Sequence, residues 1–522
     1  MFTSLLLRFL NNGQTLKIKK TALTTDESSL ARMGYTQELH RGFSAFSNYA
    51  LSFSIICILA GGITSFHLGF CAVGPAAIGI GWPLAVLFSL SVAATMAHIA
   101  SAFPTAGGLY HWAALFGGRG MGWATAWFNL AGLVTVLAAI NVGTWRFVVS
   151  GLFDGLDPGP TTQMTAVAFI TLTQVLFNLL GTRVVSSLTS FSGWWILAVS
   201  LVLILAFLLY GSPKNPIGLL EFHNFSGVPD GPAAVWPATE SMFWLFLVAL
   251  LLPVYTITGF DASAHAAEET HDPARNVPRG IIRAVLVSGV TGWILLAVAV
   301  LVIDDNQNIA AQGERAFLQI MKENIPHWLQ GSMYVSILLA QYLCGLATVT
   351  SASRMAFAFA RDGGLPGSLW LRRISQRTMV PSNSIWAVSV TSVVFTIYAD
   401  VYATITAACT ILLYISYGVP TLLGLCAHGR KWTYMGPWQL GIWFKPLALV
   451  SIIGTTGLLL IGTQPPSEKA GYLVLALTLV LIVGWFIFAK SRFQGPRVSL
   501  DSLQSKSDFL QRRNSKTVAS RQ

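Results

Sequence analysis

Long apolar runs constrain this chain more than any other feature. Stretches of about 18 or more mostly apolar residues, enough to cross a bilayer as helix, recur from residue 44 to residue 490. Twelve can be marked, at 44–70, 74–100, 120–153, 163–181, 187–211, 241–266, 281–303, 328–359, 383–399, 402–427, 444–463 and 469–490. With no water in the bilayer core, each span must satisfy its backbone internally, as helix or closed barrel. The runs are continuous rather than alternating, so helices are expected and barrel strands are not. Composition agrees. Only 10% of the 522 residues are charged, 54% are hydrophobic and the mean hydropathy is +0.62, against about 25% charged residues in a soluble domain. The expected fold class is an all-α polytopic membrane protein with about twelve transmembrane helices over residues 41–490.

The flanks are polar. Residues 1–40 read as a cytoplasmic N-terminal tail; Phe2 to Leu10 is apolar but short, carries Arg8 and precedes no small-residue cleavage site, so no signal peptide is expected. Residues 491–522, rich in Ser, Lys and Arg, read as a disordered, membrane-proximal tail. The net charge of +11 would suit nucleic acid, but its placement argues for a membrane. Threading the spans from an inside N-terminus leaves Lys214, Arg315, Lys322 and Lys469 outside. Lys17, Lys19, Lys20, Arg32, Arg41, Arg275, Arg279, Arg283, Arg361, Arg372, Arg373, Arg377, Arg430 and Lys431 gather inside. Asp154, Asp157, Glu221, Asp230, Asp304 and Asp305 fall mostly outside. This positive-inside bias predicts cytoplasmic termini, in a plasma or inner membrane. The five cysteines are scattered through the spans without a CxxC and read as small packing residues. No metal site, cofactor or nucleic-acid partner is expected.

Two spans are interrupted. Tyr255 to Glu269, YTITGFDASAHAAEE, follows the apolar run Phe243 to Pro253 and crowds Thr256, Thr258, Gly259, Asp261, Ser263 and His265 into a membrane segment. A carboxylate at mid-bilayer costs about 2.5–3.5 kcal/mol on insertion scales and so usually faces a cavity. Its counterpart is Gly61-Gly62 in the first span, where paired glycines allow a helix to unwind or to pack closely. Interrupted spans at corresponding places in two halves of a chain point to a secondary transporter's binding site. His98, near the end of the second span, reads as an interfacial histidine rather than a proton relay. The hydroxyl cluster around Thr350 and Ser351 either bonds back to its own helix or offers oxygens to a small cation.

Three stretches then become recognisable. HIASAFPTAGGLYHW (98–112), TGFDASAHAAEET (258–270) and SASRMAFAFARDGGLP (351–366), with the entry Met33-Gly34-Tyr35 to Phe46, resemble the amino acid–polyamine–organocation superfamily, and within it the amino acid/choline transporter branch that includes GABA and choline permeases. The likeness covers about residues 26 to 490. It implies two inverted five-helix repeats, at about 41–211 and 241–427, plus two extra helices at 444–490, with substrate held at broken helices one and six. Where this branch commonly carries a glutamate, the chain has His98, and the lysine some superfamily members place in the fifth span is absent from 187–211.

An unwound helix exposes N–H groups suited to a carboxylate and carbonyls suited to an ammonium. The expected substrate site is Gly61, Gly62, Ile63 and Thr64 at the carboxylate, with Tyr255, Thr258, Gly259, Phe260 and Asp261 around the amine and side chain. Asp261, His265 and Glu268 share one helix face and form a candidate titratable column. Glu268 and Glu269 are also expected to pair with Arg275 or Arg279. Thr350 and Ser351 complete the coupling candidates. For choline, an aromatic cage from Trp127, Trp145, Trp244 and Phe260 is available. The function expected is a permease, not an enzyme, that moves amino acids or small amines such as GABA or choline by alternating access. Its partners are that substrate, the bilayer and a coupling ion, expected to be H+. The alternative is a transport-dead nutrient receptor on the same scaffold.

Overall fold

The computed structural model describes residues 25–152, 159–229, 234–398, 402–464, 467–500 and 502–503. The apolar start Phe2 to Leu10, Lys17, Lys19, Lys20, Asp154, Asp157, Asp230 and most of the C-terminal tail lie outside them.

The described helices are α1 Thr25–Arg32, α2 Ala45–Ile55, α3 Phe66–Val73, α4 Trp82–Ala102, α5 Leu109–Gly117, α6 Arg119–Leu152, α7 Pro160–Leu179, α8 Thr182–Tyr210, α9 Met242–Ala249, α10 Leu251–Thr256, α11 Ala262–His265, α12 Pro273–Leu301, α13 Asn306–Ala311, α14 Ala316–Asn324, α15 His327–Arg361, α16 Ser368–Leu371, α17 Ser382–Tyr398, α18 Tyr402–Ala427, α19 Phe444–Gly462, α20 Glu468–Gly484 and α21 Lys490–Arg492. Among the described residues ten helices are long and apolar enough to cross a membrane. The other two expected spans, 241–266 and 383–399, correspond to the shorter Met242–Thr256 and to α17. The chain is therefore an all-helical polytopic membrane protein.

Buried and lipid-facing helices separate by sequence. α6 packs along α18, and α4 along α12. The last span is apolar all round yet scarcely covered, with Leu475, Leu479, Val480, Phe486 and Ile487 all exposed. A helix that is hydrophobic on every face and uncovered by protein needs lipid as its solvent.

One end of the bundle, marked by Arg354 and Arg361 of α15, is closed by the chain's own flanks. Residues 25–43 cross it with Leu30, Met33, Tyr35 and Leu39 buried. Gly42 and Phe43 donate their amides to Glu269 O (3.0 and 2.9 Å), and His271 N–H donates to Phe43 O (3.1 Å). The C-terminal tail, expected to be disordered, is ordered as far as it is described: Phe493, Leu500 and Leu503 are buried against the same end. Its polar composition hid three apolar anchors spaced widely enough to escape a window average.

Candidate functional site

The first interruption lies earlier than the glycines suggested. α2 ends at Ile55, the chain is extended at Cys57 (φ −77°, ψ 104°), and Ile58–Gly62 then forms a π-turn. Gly61 and Gly62 are thus wound rather than unwound, and Ile63 and Thr64 follow as helix. Gly61 serves close approach instead: a Cβ there would stand 3.0 Å from Thr256 Cα. The break at Ile56–Cys57 carries no Gly or Pro and is held by other spans. Cys344 Sγ–H donates to Ile55 O (3.4 Å), Ser288 Oγ–H to Ile56 O (3.3 Å) and Gln341 Nε2 to Leu59 O (3.1 Å).

The second interruption falls where expected. α10 ends at Thr256, and its last turn turns inward on itself, with Thr256 Oγ1 donating to Leu252 O (2.8 Å) and Thr258 Oγ1 to Val254 O (2.6 Å). Such back-bonding competes with continuation of the helix. Gly259 then adopts φ +94°, a region side-chain-bearing residues avoid. A Cβ on it would lie 2.3 Å from Ile55 Cγ2, so the two breaks touch. Among the described residues, the N–H groups of Thr258 and Phe260 have no backbone hydrogen-bond partner, whereas the Cys57 amide faces the Cys344 thiol. Thr258, Phe260 and Cys57 are all buried.

Asp261 is fully buried beside this junction, and its carboxylate is surrounded. Tyr417 Oη donates to Oδ1 (2.8 Å), Asn129 Nδ2 to Oδ2 (2.8 Å), and His265 Nε2 lies 3.1 Å from Oδ2. Tyr417 Oη also accepts from Gly259 N–H (3.3 Å), and Tyr414 closes the far side by reaching Ile257 O (3.5 Å). Phe260 packs on Tyr417, with ring centroids 4.8 Å apart.

The expected column continues, with one bridge. His265 Nδ1 is 3.1 Å from Ala106 O, and Ala106 N–H donates to Glu268 Oε1 (3.1 Å). Glu268 does not pair with Arg275 or Arg279. Arg361 grips it with two 2.8 Å bonds, and Arg354 holds Glu269 at 2.7 and 3.3 Å while Thr182 Oγ1 donates to Glu269 Oε2 (2.6 Å). Both glutamates are buried, where only a charged, hydrogen-bonding partner offsets desolvation, and the exposed Arg275 offers none. Beyond them Asp362 accepts from Tyr35 Oη (2.8 Å) and Tyr110 Oη (3.0 Å) and lies 2.9 Å from His111 Nε2. Burial alone would raise the Asp362 carboxyl; the hydrogen bond and charge of His111, with Arg361, outweigh it and hold the group below the usual carboxylate range.

Several expected residues lie elsewhere. Ile63 and Thr64 line a crevice at the opposite end with Arg146, Phe147 and Glu314, where Arg146 and Glu314 pair at 2.7 Å. Tyr255 lines a separate crevice with Leu68, Trp236 and Ser467. Thr350 Oγ1 donates to Asn178 of α7 (2.8 Å), away from the junction, and Ser351 Oγ is buried without a partner among the described residues. The four expected cage aromatics have separate surroundings: Trp127 packs on Trp123 and Phe359, Trp145 against Val142 and Val167, Trp244 lies in α9 ahead of the break, and Phe260 lies at the break itself. His98 sits among His428, Trp432 and Phe444, accepting from Leu440 N–H (3.2 Å) as a structural histidine would.

Sequence reasoning passed over Asn129, Tyr417, Arg354, Arg361, Asp362, His111 and Tyr35. Asn129, Arg354 and Arg361 carried a usable signal, since polar and charged groups inside apolar spans are costly and need partners. The tyrosines carried none.

A family model described as amino acid permease matches residues 43–489. This chain belongs to that family, within the amino acid–polyamine–organocation superfamily. It is 31% identical to the amino-acid permease BAT1 of Arabidopsis thaliana over 90% of this chain and 95% of that protein. It is 30% identical to the BAT1 homolog of Oryza sativa subsp. japonica (91% and 96%) and 26% identical to the GABA-specific permease of Saccharomyces cerevisiae (94% and 88%). The protein is thus a permease of small molecules rather than an enzyme.

Proposed function

We propose that this permease is a secondary active transporter that carries an amino acid or related small amine, driven by protons, by alternating access around the junction of the two broken spans. Spans one and six open the two expected five-helix repeats at 41–211 and 241–427, so their breaks face each other across the centre. Substrate carboxylate is received by the N–H groups of Thr258 and Phe260, with that of Cys57 joining them when the Cys344 thiol yields it. The ammonium is received by carbonyls at the ends of α2 and α10 once Ser288, Cys344 and Tyr414 yield them. The basic end is the cytoplasmic one, which puts both termini inside a plasma or inner membrane.

The observation that carries proton coupling is the pair Asp261–His265. Both imidazole nitrogens face acceptor oxygens, Ala106 O and Asp261 Oδ2. A neutral ring donates from one nitrogen only, so this contact set holds one further proton, shared between imidazole and carboxylate. Releasing it leaves one imidazole lone pair against an acceptor oxygen, Ala106 O or Asp261 Oδ2 according to the tautomer, and loosens that contact. Loading and release of that proton therefore move α11 against the third and tenth spans, which supply Asn129 and Tyr417. Substrate choice follows the same geometry. GABA and neutral amino acids bring a carboxylate for the free amides, whereas choline brings none and finds the expected cage aromatics in separate surroundings. The name of the yeast relative supports GABA as the first substrate to try.

The test is uptake into proteoliposomes of GABA, neutral amino acids, putrescine and choline under imposed proton or sodium gradients. Asp261→Asn should abolish proton-driven accumulation while substrate counterflow persists. Accumulation by that variant at the unmodified level would remove Asp261 from coupling, and accumulation driven by sodium alone would replace the proton.

A further inference from the structure

A polar cavity of about 530 Å³ opens at the basic end, away from the junction of the two breaks. Arg361, Asp362, Gly363, Arg372, Arg492 and Arg497 are among the residues that line it. Arg361 is spent on Glu268, and Asp362 is held by His111 and the two tyrosines. The other three arginines are exposed and form no ion pair with any described residue. Arg492 rests over the Phe488 ring at 4.3 Å and Arg497 lies 5.4 Å from the Tyr35 ring, so aromatic faces fix two of the guanidinium groups without neutralising them. A cavity that gathers three unneutralised guanidinium groups favours a dense anion, and guanidinium matches phosphate oxygens best.

The surroundings choose the kind of phosphate. Phe488 lines the cavity where the last span ends, and that span is the least covered of the apolar helices. Phe486, Ile487 and Leu369, 68%, 80% and 72% exposed, stand on the elements that frame it. Such a surface is at home among acyl chains, at the depth where a bilayer's phosphates lie.

We infer that this cavity binds the phosphate of an anionic membrane lipid, its headgroup between Arg372, Arg492 and Arg497 and its acyl chains along the exposed face of the last span. The occupant lies against Arg361 and Asp362, the outer links of the chain that runs inward to Asp261. Lipid composition is therefore positioned to bear on how firmly the basic end stays shut.

The experiment is native mass spectrometry of the full-length, detergent-purified protein titrated with phosphatidylglycerol against phosphatidylcholine. Each basic residue near a membrane surface contributes about fivefold in affinity. The variant Arg372→Gln/Arg492→Gln/Arg497→Gln should thus lose its preference for phosphatidylglycerol on the order of a hundredfold. A control of equal charge, Arg183→Gln/Arg377→Gln/Arg430→Gln, should keep it. If the triple variant fails to fold, the three single variants are read on the same scale, each expected to lose about fivefold. An equal loss in the control would show a general surface potential and overturn the site, as would unchanged binding in the triple variant. Displacement of the lipid by inorganic phosphate or glycerol 3-phosphate at matched concentration would make this a soluble-anion site and overturn the lipid assignment.

Discussion

Arg361→Gln tests how the basic end is held. The Arg361 and Glu268 side chains are only 3% and 1% exposed and share two 2.8 Å bonds. Removing the arginine leaves Glu268 buried with only the Ala106 amide as donor among the described residues. Breaking such a pair from one side costs about 3–5 kcal/mol. That cost is borne only while the end is shut, because opening returns Glu268 to water. The equilibrium between shut and open should shift by the same amount, between about a hundredfold and a few thousandfold at about 1.4 kcal/mol per decade. Cys57, buried at the first break, supplies the readout. With Cys71, Cys344 and Cys426 replaced, its alkylation by a water-soluble reagent measures the open population. Cys409, buried in α18, is the internal control for unfolding. Arg361→Gln should speed labelling of Cys57 by about two orders of magnitude or more while Cys409 stays protected. Adding Glu268→Gln removes the orphaned charge and should return most of that protection. Unchanged labelling of Cys57, or equal acceleration at both cysteines, would refute the reasoning.

Other perturbations read separate parts of the site. Gly259→Ala places a side chain at φ +94° and 2.3 Å from Ile55 Cγ2; strain of about 1–2 kcal/mol plus overpacking of about 1–3 kcal/mol should lower thermal stability and uptake together. Ile55→Ala in the same chain should recover the packing part, and uptake by Gly259→Ala at the unmodified level would deny the contact. Asp362 titrates below its ordinary range, so its contribution is present above the unfolded value of about 3.9 and is lost as pH falls through the lower folded value. Thermal melts below about pH 4 should therefore show a fall that Asp362→Asn lacks. The loss of proton-driven accumulation in Asp261→Asn, with counterflow retained, completes the set.

Much of the bundle was legible because burial in lipid acts on single segments. Ten of the twelve apolar runs fall on helices long enough to cross a membrane among the described residues, while 241–266 is broken and 383–399 falls on the 17-residue α17. The interruption in the sixth span was legible too, since Thr256, Thr258 and Gly259 weaken the helix locally. The first interruption was misplaced by a handful of residues for a clear reason. Gly61 and Gly62 mark a π-turn and a close approach, whereas Ile56 and Cys57 are unwound by groups on α12 and α15.

The class, the position of most spans, the sixth-span break and the family could be read from the sequence alone, because hydropathy, helix weakening and ordered motifs are properties of contiguous residues. Only tertiary structure decided which partner each buried charge takes. Glu268 chose Arg361 and Glu269 chose Arg354, 93 and 85 residues away, over arginines much nearer in the chain. A carboxylate removed from water is stabilised by whichever cation is buried beside it, and spacing along the chain does not report that distance.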